Sequence, residues 1–98
     1  MSLWYWRDGT PADDMKAIEE KLGDHDYKVV EQTTLPNGLW VSTVWLGLDH
    51  SFCREGPPLI FETMVFESKE NLHDLDCERY PTEAEAIEGH WRMVAKHR

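Results

Sequence analysis

A chain of 98 residues, 41% of them apolar and five of them tryptophan, has the size and the aromatic load for one domain with one core, which excludes a second domain and wholesale disorder. Nineteen acidic against ten basic residues give a formal charge of −9, and no Lys/Arg cluster stands ready to track a phosphate backbone, so ordinary nucleic-acid binding is not expected. No apolar run approaches the ~20 residues that span a bilayer, and the start lacks the basic-then-apolar pattern of a secretory signal.

The segment Trp4-Tyr5-Trp6-Arg7-Asp8-Gly9 is aromatic and then turns. Thr10-Pro11 reads as a helix start, with a hydroxyl at the N-cap and proline at N1. Met15, Ile18 and Leu22 form one apolar stripe, and Gly23 ends it, so a first helix is predicted from Pro11 to Leu22. Tyr27 to Thr34, rich in β-branched residues, predicts a first strand. Leu35-Pro36-Asn37-Gly38 supplies turn chemistry. A second strand is predicted from Leu39 to Leu48. After the connection from Asp49 to Pro58 come a third, Leu59 to Phe66, and a fourth, Leu75 to Tyr80. Thr82-Glu83-Ala84-Glu85 is a capping box that opens a second helix running to about Lys96, with Ala84, Ile87, Trp91 and Val94 as its apolar stripe.

The order α-β-β-β-β-α with short links predicts an α+β fold, an antiparallel four-stranded meander flanked by an N-terminal and a C-terminal helix. A register that pairs Leu48 with Leu59 and Val65 with Leu75 sorts the strands into two faces. One, carrying Trp40, Val44, Leu46, Leu48, Leu59, Phe61, Val65, Leu75 and Cys77, is the expected core. The other carries Val41, Thr43, Trp45, Ile60, Glu62, Met64, Phe66, Asp76, Glu78 and Tyr80. Trp45, Ile60, Met64 and Phe66 would make that second face too apolar to stand bare in water. It is therefore the expected interaction face, with Glu62 in its midst. Self-cover by Trp4-Tyr5-Trp6, a symmetric dimer and a ligand site are the three ways of covering it. In this register Glu62 lies beside Glu78, a repulsive arrangement unless a cation intervenes; the readings are a paired-carboxylate site, a salt bridge to Arg79, Arg7 or Arg54, and simple solvent exposure.

The run VSTVWLGLDH (Val41 to His50), then PLIFETMVF (Pro58 to Phe66), Arg79-Tyr80 and TEAEAIEGH (Thr82 to His90), resembles a group of small uncharacterised proteins encoded by tailed bacteriophages and prophages. The resemblance spans most of the chain from Trp4 onward. It implies a phage or prophage origin and a host-cytoplasm setting. It implies no catalytic residue, because the group carries no established activity.

Chemistry-bearing residues are few. Asp49-His50 opens the longest loop, where a carboxylate beside an imidazole suits a metal or acid–base work; the structural alternative is an Asp that caps the turn. Glu62 sits mid-strand. His90 lies at the edge of the second helix's stripe. Cys53 and Cys77 have neither disulfide-framework nor zinc spacing and are expected to be reduced thiols in a cytoplasmic protein. His50 stands three residues from Cys53. HExxH, GxSxG, GxGxxG and P-loop spacings are all absent. No cofactor and no metal are expected, and an enzyme is the less favoured class. The leading expectation is an accessory protein acting by protein–protein contact, with a partner or with itself as a homodimer. An acidic nucleic-acid mimic that inhibits a host defence protein is second. A small metal-dependent enzyme using Asp49, His50 and Glu62 is third.

Overall fold

The structure is a computed structural model that describes residues 3–51 and 55–98. Cys53 and Arg54 lie outside the described residues. Four strands, β1 (Val29–Thr34), β2 (Trp40–Trp45), β3 (Phe61–Phe66) and β4 (Asp74–Tyr80), form one antiparallel meander in the order β1-β2-β3-β4. Helices α1 (Met15–Leu22), α2 (His25–Lys28) and α3 (Glu83–His97) complete an α+β fold. Ile18 of α1 shares an apolar cluster with Trp45 and Phe61, and α3 is bonded to Thr33, Thr43, Asp76 and Glu78. Both longer helices therefore pack on one face of the sheet.

Local chemistry explains where the elements begin and end. Helix α1 starts four residues later than Thr10-Pro11 suggests, because those two residues are engaged elsewhere. Pro11 bridges Tyr5, Thr10 accepts the Trp6 amide, and the Thr10 hydroxyl bonds Asp8. Asp14 is the cap instead, taking the amides of Lys16 and Ala17. Asp24 caps the single turn of α2, which takes the first two residues expected in the first strand. Strand β2 stops at Trp45, short of Leu48. Gly47 adopts φ +79, and a Cβ there would press on the rings of Trp45 and Trp4, so glycine lets the N-terminal segment close over the strand end. Trp4 bridges Leu48, and the Tyr5 amide donates to the Gly47 carbonyl at 2.8 Å. Thr82 caps the Glu85 amide at 3.2 Å and opens α3 as the capping box predicts.

The register differs by one residue from that expected on both sides of β3. Trp45 pairs with Phe61, Val41 with Val65, Glu62 with Arg79 and Val65 with Asp76. A one-residue slip turns a whole strand over. The expected faces are therefore correct for Phe61 and Val65 but inverted throughout β2 and β4. Val41, Thr43 and Trp45 lie beneath the helices and are fully buried, while Trp40, Val44, Leu75 and Cys77 belong to the opposite face. Helix α3 is likewise rotated from expectation: Ala86, Gly89, His90, Met93 and Val94 are buried, and Ile87 and Trp91 face outward.

The core has two apolar clusters with a polar layer between them. Ala12, Ile18, Trp45, Ile60, Phe61, Tyr80 and Ala86 form the larger, closed by Trp4, Tyr5 and Trp6. Leu35, Val41, Val65, Met93 and Val94 form the smaller. Between them lie Thr43, Thr63 and His90, all buried. Burying these polar groups costs free energy unless each finds a partner. They do: Tyr80 donates to Thr63 (3.0 Å), Thr63 meets Thr43 (2.6 Å), Thr43 meets His90 Nδ1 (2.7 Å), and His90 Nε2 meets Thr33 (2.9 Å). Donation running from Tyr80 through Thr63 and Thr43 into Nδ1 gives every proton in the chain a place. The ring is then the neutral Nε2–H tautomer, donating to Thr33.

Candidate interaction surface

The sheet face opposite the helices carries Gln32, Trp40, Ser42, Val44, Glu62, Met64, Phe66, Cys77 and Arg79. Pairing sets Trp40 beside Phe66, with ring centroids 5.6 Å apart, and Ser42 beside Met64. Gln32 Nε2 donates to the Ser42 hydroxyl at 3.0 Å. Trp40, Val44, Met64 and Phe66 are all half-buried, and Leu75 at the end of β4 is exposed. Four large apolar side chains on a helix-free sheet face are more than solvation alone favours.

Among the described residues the centre of this face carries one charged pair, and Asp74, opposite Phe66, adds a carboxylate at its edge. Arg79 Nε donates to Glu62 Oε2 at 2.9 Å, and Cys77 Sγ lies 3.6 Å from the same oxygen. Burial of the sulfur, reinforced by the Glu62 carboxylate, pushes the Cys77 thiol up to about 11. The thiol is accordingly protonated near neutral pH and is a poor nucleophile.

Of the five residues expected to form the interaction face, three lie here: Glu62, Met64 and Phe66. Trp45 and Ile60 do not. Both are buried in the larger cluster, where Trp45 donates its indole N–H to the Tyr5 carbonyl (2.9 Å) and packs edge-on against Tyr27. The aromatic N-terminal segment does pack against Trp45 and Ile60, but on the helix side of the sheet. Trp40, Val44 and Leu75, read from the sequence as core, take their place on the helix-free side. For Leu75 the signal that could have found it was the Glu62–Glu78 repulsion itself; nothing comparable marked Trp40 and Val44 on β2. Sliding β4 by one residue replaces that clash with the Glu62–Arg79 pair.

The remaining candidates are each engaged structurally. Partial burial raises the Asp49 pKa, but the amides of Leu59 and Ser51 and the Ser51 hydroxyl outweigh it and hold the carboxyl below its ordinary value. Asp49 thus ties Ser51 to Leu59. The neighbouring His50 turns Nδ1 to the Leu48 carbonyl at 2.8 Å. Glu62 is committed to Arg79, and His90 lies in the polar layer. Asp49, His50 and Glu62 do not converge, and no group of three or more His, Cys, Asp or Glu side chains suited to a metal ion exists among the described residues. Two of the three acids of β4 are matched by bases of α3: Arg92 meets Glu78 at 2.6 Å, and Asp76 accepts from Lys96 and His97, each at 2.8 Å. Those bases interrupt the bare carboxylate stripe that a phosphate mimic requires.

No helix of the described chain is long and apolar enough to cross a membrane. No family model, curated protein or solved structure matches the chain.

Proposed function

We propose that this is a small acidic accessory protein that acts by protein–protein contact, docking a partner on the helix-free face of its sheet. The observation that carries this reading is the adjacent set Trp40, Val44, Met64 and Phe66, facing away from all three helices with Glu62–Arg79 as its one internally neutralised pair. Such a face offers an apolar centre without an unpaired charge to desolvate. The formal charge of −9 points to a partner whose rim around the contact is basic, since like charges would repel on approach. A non-enzymatic role agrees with the chemistry of the side chains: Asp49 and Glu62 are tied in bonds, His90 is enclosed, and Cys77 holds its proton. A host-cytoplasm setting follows the resemblance to phage-encoded proteins.

Affinity capture with the wild type, Val44→Asp and Phe66→Asp, followed by calorimetric titration of the purified partner, tests this function. Both substitutions place a charge on the proposed contact without touching the core. Loss of binding with unchanged melting temperature supports the reading. A partner that binds wild type and both variants equally well overturns it.

A further inference from the structure

Helix α3 carries a second apolar surface that neither the core nor the proposed partner face uses. Ala84, Ile87, Trp91 and Ala95 recur along one flank of the helix, all exposed, and Trp91 and Ile87 remain 49% and 42% accessible. The Trp91 ring is held edge-on against His90, with centroids 4.9 Å apart, so this anchor is ordered before anything meets it. We propose that a second copy of this chain docks here, α3 against α3 in antiparallel orientation about a two-fold axis near the middle of the helix.

The pattern is close to palindromic, and that decides both the occupant and the orientation. Small Ala84 and Ala95 stand at the ends of the stripe and bulky Ile87 and Trp91 at its middle. Antiparallel pairing sets Ala84 against the second copy's Ala95 and Ile87 against its Trp91. The backbones then approach closely at both ends of a helix about 22 Å long. Charge agrees. The first half of α3 bears Glu83, Glu85 and Glu88, and the second half bears Arg92 and Lys96. An antiparallel copy brings Glu88 to Arg92 twice over, as an isologous interface requires. A parallel copy would set glutamate on glutamate. Arg92 spends Nη2 on Glu78 yet remains more than half exposed, so its guanidinium fork has donors left for a second carboxylate. One helix per copy is a small interface, and the association is correspondingly weak.

Sedimentation equilibrium over a concentration series tests this, with melting temperatures as the folding control. Wild type dimerises reversibly, and Trp91→Glu weakens the dimer by roughly tenfold or more, as loss of a central aromatic anchor does. Glu88→Lys and Arg92→Glu each weaken it, and the double variant E88K/R92E recovers it because the pairs are restored in reverse. A wild type that stays monomeric at every concentration overturns the proposal. So does a dimer indifferent to Trp91→Glu, or one lost through Val44→Asp and Phe66→Asp instead. Because Trp91 is remote from the helix-free sheet face, Trp91→Glu that abolishes the dimer yet still binds the captured partner separates this surface from the one proposed above.

Discussion

The ring of Tyr80 lies where a side chain on Gly89 would have to be: a Cβ built on Gly89 overlaps the ring carbons and the hydroxyl oxygen. Tyr80 ends β4 and Gly89 sits on the buried side of α3, so this contact sets how closely the helix rests on the sheet and aims the Tyr80 hydroxyl at Thr63. Alanine ordinarily gains up to about 1 kcal/mol over glycine inside a helix. Here overpacking of about 1–3 kcal/mol outweighs that gain. Urea unfolding of Gly89→Ala is expected to show net destabilisation. A stabilised variant would mean that Tyr80 is free to swing aside.

The polar layer predicts a different cost. Thr43→Val keeps the shape of the side chain but removes the partner of both Thr63 and His90 Nδ1. An orphaned buried polar atom costs about 1–3 kcal/mol, so Thr43→Val is expected to unfold at lower urea than Ser42→Ala, whose neighbouring hydroxyl accepts from the half-buried Gln32. Equal midpoints for the two variants would show that the layer adds nothing to stability.

The same layer makes stability depend on pH. Burial holds the His90 pKa below its ordinary 6.5, with Glu31 the one charge opposing that shift. Above pH 6.5 the ring is neutral in both folded and unfolded chains. Below it the unfolded chain takes up a proton more readily than the folded chain, so stability falls as pH drops below 6.5. NMR titration is expected to show the His90 ring taking up its proton at lower pH than an unperturbed histidine. At the acid end Asp76, drawn down to about 2 by Lys96 and then His97, contributes stability above pH 3.8 that is lost as pH falls toward 2. Asp76→Asn is expected to remove that lower step and leave the upper one.

Cys77 is expected to be sluggish toward thiol reagents. With its thiol raised from 9.0 to about 11, the thiolate at pH 8 is roughly a hundredfold scarcer than for an ordinary cysteine. In a Cys53→Ser background, alkylation at pH 8 should be slow, and Glu62→Gln should accelerate it by removing the adjacent carboxylate. Fast alkylation of the wild-type Cys77 would show that the sulfur is neither desolvated nor near Glu62.

The elements were legible in the sequence because their signals are local. The Thr82 capping box, the turn at Leu35 to Gly38 and the β-branched runs each act within a few residues, and the antiparallel meander follows from short links. The faces were not legible. Along β2 the helix side reads Val41-Thr43-Trp45 and the other side Trp40-Ser42-Val44, two triplets with the same apolar-polar-apolar grain. Alternation cannot rank them, and a register is weakly specified wherever both faces are comparably apolar. The polar layer deepened the ambiguity, since Thr43, Thr63 and His90 place hydroxyls and an imidazole where a core is expected to be greasy. The same substitution of polar for apolar rotated the reading of α3: His90 is inside, so Trp91 is outside.

The contact face, the dimer surface and the polar layer all rest on which tryptophans are inside. Labelling the five tryptophans with 5-fluorotryptophan and adding a soluble paramagnetic agent measures this directly, with resonances assigned by single Trp→Phe variants. Broadening is expected to be strongest for Trp91, intermediate for Trp40 and absent for Trp45. A Trp45 resonance that broadens while Trp40 stays sharp would contradict the account at its root.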